Sequence, residues 1–432
     1  MNKTNLYLDN LFYNDYEFFL EKNYKLDKKP EIHIVENGIV IPFICENRNS
    51  SKGTGGVINS LGDYIISSQT SQENLMLPIA EYDKTRLIHS DENEVIYLGY
   101  FIKQWGHFIV DFMTRLWWLV DNYQGQRIVY LVRNSESRID GNYAKMLELF
   151  GLPSDKLSPI IEPTKFEKII IPEMAMVRPD YYTDEYLKIF KKIIKNVDCS
   201  KYLYKKVYFT RRKLRNAKNS ELGEKNIEFF FKKNGYKVLS PERCTVEEQI
   251  AIFHSCPNIV SLSGTIPHNI VFGNSNTNLT IINKVQRINT IQIILNKAVG
   301  CTINYIDGFV ALLPVSPGSG PFWLQLNDNF SAFAIDKNMK MPEVSFIEKI
   351  FSELYVRRKI LKYFLIYCRN KNETLDIGGR IVGSSRPLSE GFEVKELYSY
   401  YRKRIGDFPT YINVAEFLRW VVKKILRVNK SA

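Results

Sequence analysis

The stretch GYKVLSPERCTVEEQIAIFHSCPNIVSLSGTIPHNIVFGNSNTNLTIIN (235–283) decides the fold. Three short apolar runs, YKVLS (236–240), NIVSLS (258–263) and NLTIIN (278–283), are bounded by turn residues and read as strands. Between the first two, Thr245 opens T-V-E-E, a capping box with Glu248 at the third helical position, so a helix follows to about 255. A turn and a short helix near 267–273 separate the second and third runs. One step upstream, KVYFTRR (206–212) is a further strand. Asn219-Ser220 can cap a helix that runs to about 233 and is ended by Asn234-Gly235. The order β-α-β-α-β-α-β predicts a parallel, doubly wound sheet, hence an α/β protein.

Working outward, WGHFIVDFMTRLWWLVD (105–121) is apolar on most of its circumference and predicts a buried helix. RIVYLVR (127–133) and KIIIPE (168–173) read as strands, and YAKMLELFGL (143–152) as a helix ended by Gly151. Residues 31–100 are strand-rich. EIHIVENGIVIPF (31–43) and GGVINSLGDYIISSQ (55–69) predict hairpins at Asn37-Gly38 and Leu61-Gly62-Asp63, and SSKGTGG (50–56) a flexible loop. LPVSPGSGPF (313–322) reads as a connector, 343–369 as a long helix, and GGRIVGSSRP (378–387) as a loop; VAEFLRWVVKKILRV (414–428) is a strongly amphipathic helix. The expected units are 1–200, α/β with a β-rich start; 201–315, Rossmann-like; and 316–432, helical.

At 432 residues the chain has room for two or three domains, each able to bury a core. Its composition, 45% hydrophobic and 25% charged, excludes a wholly disordered or low-complexity protein. Net charge is +12, which suggests anionic partners without choosing among them. The six cysteines (45, 199, 244, 256, 301, 368) are scattered, with no C-x-x-C pair, so a zinc ribbon or a disulfide framework is not expected and a reducing compartment is. The start of the sequence has no clean secretory signal, and no stretch is apolar enough to cross a membrane.

Ligands in open parallel sheets bind beyond the carboxyl ends of the strands. Two such ends are unusual here. The strand at 206 runs into TRRKLRN, with Arg211, Arg212 and Arg215; the strand at 258 runs into SGTIPHN, with Ser263, Gly264, Thr265, His268 and Asn269 entering a helix. Guanidinium forks and free amides at a helix start both suit a diphosphate. Taken alone, the arginines also read as a solvated turn. The second feature is a polar stripe, His107, Asp111, Thr114 and Arg115, on the buried helix. An imidazole beside a carboxylate can act as general base or orient one; Asp111 paired with Arg115 is the bland alternative. No G-x-G-x-x-G, D-x-D, H-E-x-x-H or G-x-S-x-G occurs in a fitting place, so NAD, a metal and a hydrolase elbow are not expected. Arg419, Lys423, Lys424, Arg427 and Lys430 line one face of the last helix, downstream of Arg402, Lys403 and Arg404. The pattern at 402–430 suits an anionic membrane surface or, equally, a helix docked on the protein.

These residues resemble glycosyltransferase family 61 in its bacterial, capsular-polysaccharide-type branch, over roughly 55–285. WGHFIVDFMTRLW is similar to the family's G/N-x-x-H-x-x-x-D segment. VYFTRRKLRNAKNSE resembles its strand followed by S/T-R-R and a further Arg, and SGTIPHN its h-G-A-x-L-T-N turn. Ser263 stands where many members have His, Pro267-His268 replaces L-T, and Ser220 separates Asn219 from Glu221. The resemblance implies a GT-B fold with two Rossmann-like domains facing a cleft, 1–200 on the acceptor side and 201–315 binding the nucleotide sugar. It also implies inversion, no obligatory metal and no cofactor. Under it, Asp111 and His107 are the catalytic pair, with base and orienter unassigned between them. Arg211, Arg215, Ser263, Gly264, Thr265, His268 and Asn269 contact the donor. The partners are a nucleotide sugar and a surface-glycan or glycolipid acceptor, not nucleic acid, at the cytoplasmic face of the plasma membrane. The rival readings are a non-catalytic membrane- or nucleic-acid-binding module and a GT-B-like transferase of pyruvyl or phosphoryl groups.

Overall fold

The structure, a computed structural model, describes residues 3–343 except 9–12, 46–52, 71–75, 79–80, 135–137, 215–220, 286–288 and 310–321. The basic segment 402–430, the helix expected over 343–369 except for Glu343, the loop 378–387, Arg215 and the cap Asn219-Ser220 lie outside these residues.

The expected parallel sheet is present, and larger. Six strands lie in the order 237–239, 207–209, 258–262, 278–283, 302–307 and 4–7, every pair parallel. Alternate side chains serve two layers. Tyr208, Val260, Ile282 and Ile306 pack with the helices Glu224–Lys233 and Asp328–Asp336. Val207, Phe209, Ile259 and Ile281 pack with Val246–Ser255 and Thr290–Val299 on the other face. This period of two is what lets both faces be buried. Thr245 caps its helix as expected, accepting from the Glu248 amide at 3.1 Å.

A second sheet runs 32–36, 168–172, 94–100, 127–131, 157–160; its strands are parallel except the first. Helices Gly141–Phe150 and Asp184–Lys195 lie between it and the first sheet, and one apolar core runs through both, with Phe190 edge-on to Phe272 at 5.3 Å. A third, mixed sheet of five strands adjoins the second.

Three local expectations are corrected. Asn37-Gly38 makes no hairpin: 32–36 and 39–45 lie in different sheets, and 164–172 runs antiparallel to both, with Asn37 N donating to Glu167 O and Phe166 N to Gly38 O. The dipeptide is a corner in one long strand. A Cβ at Gly38 would stand 2.7 Å from Val35 Cγ1, so glycine serves close packing there. The glycines of SSKGTGG are likewise no loop from 53 on: Gly53–Ile58 is a strand paired with Ile39–Cys45, and a Cβ on Gly53 would lie 2.3 Å from Ile44 O. The segment 105–121 is helical but not one regular helix. It begins as an α-turn at Trp105–His107, widens to a π-turn at Phe108–Phe112, where Met113 N reaches back to Phe108 O, and tightens to a 3₁₀ turn at Met113–Arg115. Inserted π-turns concentrate at functional sites.

Candidate active site

The two sheets offer their carboxyl ends to one place. In the six-stranded sheet, the chain order of the five strands from 207 to 307 is 2-1-3-4-5 across the sheet, so the topology reverses between 207–209 and 258–262. The crevice at such a reversal is where ligands bind. Arg211 follows the first of these strands and Ser263-Gly264 the second. In the other sheet, 94–100 leads into His107 and Asp111, and its neighbour 168–172 leads into Arg178.

His107 Nδ1 lies 2.7 Å from Asp111 Oδ2. Asp111 Oδ1 accepts from Arg178 Nε at 2.6 Å, and Arg178 Nη2 lies 3.1 Å from His107 Nδ1. The side chains of Asp111 and Arg178 are 1% and 7% exposed, that of His107 24%. Asp111 is therefore a saturated, buried carboxylate, and the imidazole is the member that reaches the surface. The pairing of Asp111 with Arg115 is not formed. Arg115 is buried and donates instead to the carbonyls of Pro172 and Gln69, fastening the helical segment to the sheet end. Arg178 is the residue that reading along the sequence missed. It stands in a turn closed by Asp180 N to Val177 O, between two short paired strands, Met176–Val177 and Tyr181–Tyr182. Ala175 N, bonded to Thr114 O, holds that turn against the helical segment.

The segment 263–269 meets this cluster directly. A Cβ on Gly106 would lie 2.9 Å from Thr265 Cγ2 and 3.4 Å from His268 Cδ2, so glycine sets how closely the two lips approach. Trp105 Nε1 donates to Asn269 Oδ1 at 2.7 Å, and Asn269 Nδ2 donates to Gln249 Oε1 at 3.2 Å. Asn269 thus spends its oxygen on the bond across to Trp105 and its amide nitrogen on a bond within its own half. The buried His268 has a fixed tautomer. Gln292 Nε2 donates to Pro267 O and Asn296 Oδ1, which leaves Oε1 to accept from His268 Nδ1–H at 2.7 Å. Burial, with Arg178 and His107 nearby, pushes this imidazole down to about 4, so it is neutral at pH 7. The expected helix after the turn is one 3₁₀ run, Ile266–Phe272, with Pro267 in its first turn. Such a run presents a weaker dipole than an α-helix and one amide fewer. Ser263, Gly264 and Thr265 are half-buried ahead of it. Gly264 has φ +149°, and Arg211 Nη1 lies 3.8 Å from where its Cβ would be.

Arg211 is anchored by two carboxylates. Its Nε donates to Glu221 Oε1 at 2.9 Å, and its amide to Glu224 Oε1 at 2.8 Å. Glu224 also accepts from Tyr208 and Thr210, and burial raises it to about 7. Arg212 points away, to Glu228. Among the described residues, one group of metal-ligand type comes together, Glu31, His33 and Glu173. It is partly exposed, and Glu31 is already paired with Lys28.

Residues 105–280 match the family model described as Glycosyltransferase 61. The match opens at Trp105, on one lip, and closes beyond Asn269, on the other. No curated protein matches the chain. Among the described residues no helix is long and apolar enough to cross a membrane.

Proposed function

Residues 105–280 carry the glycosyltransferase family 61 match, and from that premise we propose that the chain moves a sugar from a nucleotide-sugar donor to a surface-glycan acceptor with inversion, in a GT-B-like arrangement and without a metal. The observation that carries the reading is the contact between the lips: Gly106, next to His107, packs on Thr265 and His268, next to Gly264 and Arg211.

In this reading His107 is the base. Its Nδ1–H is directed to Asp111, whose other oxygen is taken by Arg178, so Nε2 is left to accept the proton of the acceptor hydroxyl. Asp111 fixes the tautomer and ring plane and stabilises the imidazolium as it forms. The acceptor oxygen bonds to the anomeric carbon from one face while the bond to the diphosphate oxygen breaks on the other, which inverts the centre. The electron pair leaves with the diphosphate. Arg211, with Ser263, Gly264 and Thr265, receives that growing charge; preorganised donors aimed at developing charge are a large catalytic contribution. Arg215 and Asn269 were expected to join them; the side chain of Asn269 is instead committed to Trp105 and Gln249. A peripheral position on the cytoplasmic face of the membrane, through 402–430, belongs to the same proposal. Liposome flotation of a chain truncated before Pro409 tests it: binding to anionic vesicles should fall, and unchanged binding would remove the idea.

The test of the reaction is a screen of UDP-, GDP-, CDP- and TDP-sugars with membrane glycolipid extract, following nucleotide release in excess chelator. One donor should be turned over, and His107→Gln should slow it by about 10²–10⁴-fold. Near-normal transfer by a folded His107→Gln protein would overturn the assignment.

A further inference from the structure

Lys284 follows the strand Asn278–Asn283, the neighbour of the strand that ends at Ser263-Gly264. It lies four residues beyond the family match. Its side chain is only 2% exposed, although lysine is almost never fully buried unless paired. Nζ is 3.3 Å from Glu221 Oε1 and 4.2 Å above the Phe322 ring, and the Lys284 amide donates to Ser263 Oγ at 3.3 Å. The same Glu221 oxygen accepts from Arg211 Nε.

Two cations therefore share one carboxylate oxygen. Among the described residues Arg211 alone would balance Glu221, so the second cation is surplus to the pair and is held out of water at a desolvation cost. Glu224, the other acid close by, is raised to about 7 by burial and carries only part of a charge at neutral pH. The cluster is left with excess positive charge beside Gly264, at the switch point of the sheet. An anion docking there would use that excess.

We propose that Lys284 is a second phosphate-binding cation of the donor site, held by Glu221 beside Arg211, and that it binds the diphosphate of the nucleotide sugar and of the product. This rests on the donor-site reading above. Among the described residues, the charged groups that act on the ammonium are Glu221 and Glu224, which favour its charged form, and Arg211, which opposes it. Burial pulls the ammonium down to about 8, so Lys284 is protonated at pH 7 and mostly neutral at pH 9.

The test is calorimetric titration of the full chain with inorganic pyrophosphate and with UDP at pH 7 and pH 9. At pH 7, Lys284→Met should weaken pyrophosphate binding at least tenfold, and Lys284→Arg should stay within about threefold of wild type. Between pH 7 and 9 wild type should lose about tenfold more affinity than Lys284→Arg, because only the lysine gives up its proton there; the titrations of pyrophosphate and Glu224 are common to both. Binding by Lys284→Met as tight as wild type, with Arg211→Ala impaired, would overturn the role of Lys284 and leave the donor site standing. The reverse pattern would support Lys284 and remove Arg211. If wild type binds neither probe, both readings fall. Should Lys284→Met not fold, the pH comparison decides: equal loss in wild type and Lys284→Arg overturns the proposal.

Discussion

The two lips of the site differ in how their charges are balanced. On the lip built by 94–100 and 168–172, Asp111 is saturated by His107 and Arg178 and almost sealed from solvent. On the lip built by 207–209, 258–262 and 278–283, Arg211 and Lys284 lean on a single oxygen of Glu221, with positive charge to spare. A closed network fixes the orientation of one ring and suits proton transfer. An unbalanced one waits for an anion. In the proposed reading, the same strand-end geometry serves as a proton site on one lip and an anion site on the other, according to whether its cations are already matched.

The sharpest way to break this contrast is to open the closed network. Asp111→Asn leaves Arg178 buried without its counter-charge and releases the tautomer of His107. Transfer should drop about 10³–10⁴-fold, and chemical denaturation should register a loss on the order of 3 kcal/mol. On the other lip, Arg211→Ala should lower turnover about 10²–10³-fold, with a weaker effect on stability than Asp111→Asn, read in the same pair of assays. Gly106→Ala tests the seam between them. The Thr265 methyl must shift to admit the new one, while His268 is met at contact distance, and we expect about a tenfold fall in turnover, consistent with the 10²-fold that a full ångström of misplacement can cause.

The smallest expected effect is on stability against pH. His268 titrates at about 4 when folded and at 6.5 when exposed. The unfolded chain therefore takes up this proton first as pH falls, and stability drops through that window. Urea titrations at pH 7 and pH 4.5 should show His268→Gln losing less stability on acidification than wild type, by on the order of 2–3 kcal/mol. An equal loss would mean that His268 is not held neutral by its burial.

Much of this was legible in the sequence, because short periodic runs and caps are local. The strands at 207, 237, 258 and 278, the Thr245 cap and the Gly151 terminus with φ +103° all follow from neighbours within a few residues. His107 and Asp111 were legible for the same reason, being one turn apart. Arg178 was not: 67 residues separate it from Asp111, and nothing in its own turn marks it. Lys284 and Glu221 were hidden likewise, since only strand order places them at one rim. Asn37-Gly38 misled because a dipeptide that favours a tight turn equally tolerates a corner, and the isoleucines of 168–172 offered a longer partner than a hairpin would.

The outermost strand of the six-stranded sheet has one more consequence. Thr4 pairs with Ile303, and Asn5 bonds to Asn304 across 299 positions of chain. The pairing joins two pieces of chain almost three hundred positions apart, so the ends of a long loop must be brought together to form it. Strand 4–7 is the cover on the edge of 302–307, so variants that weaken this pairing should expose a sticky border to neighbouring chains rather than alter chemistry.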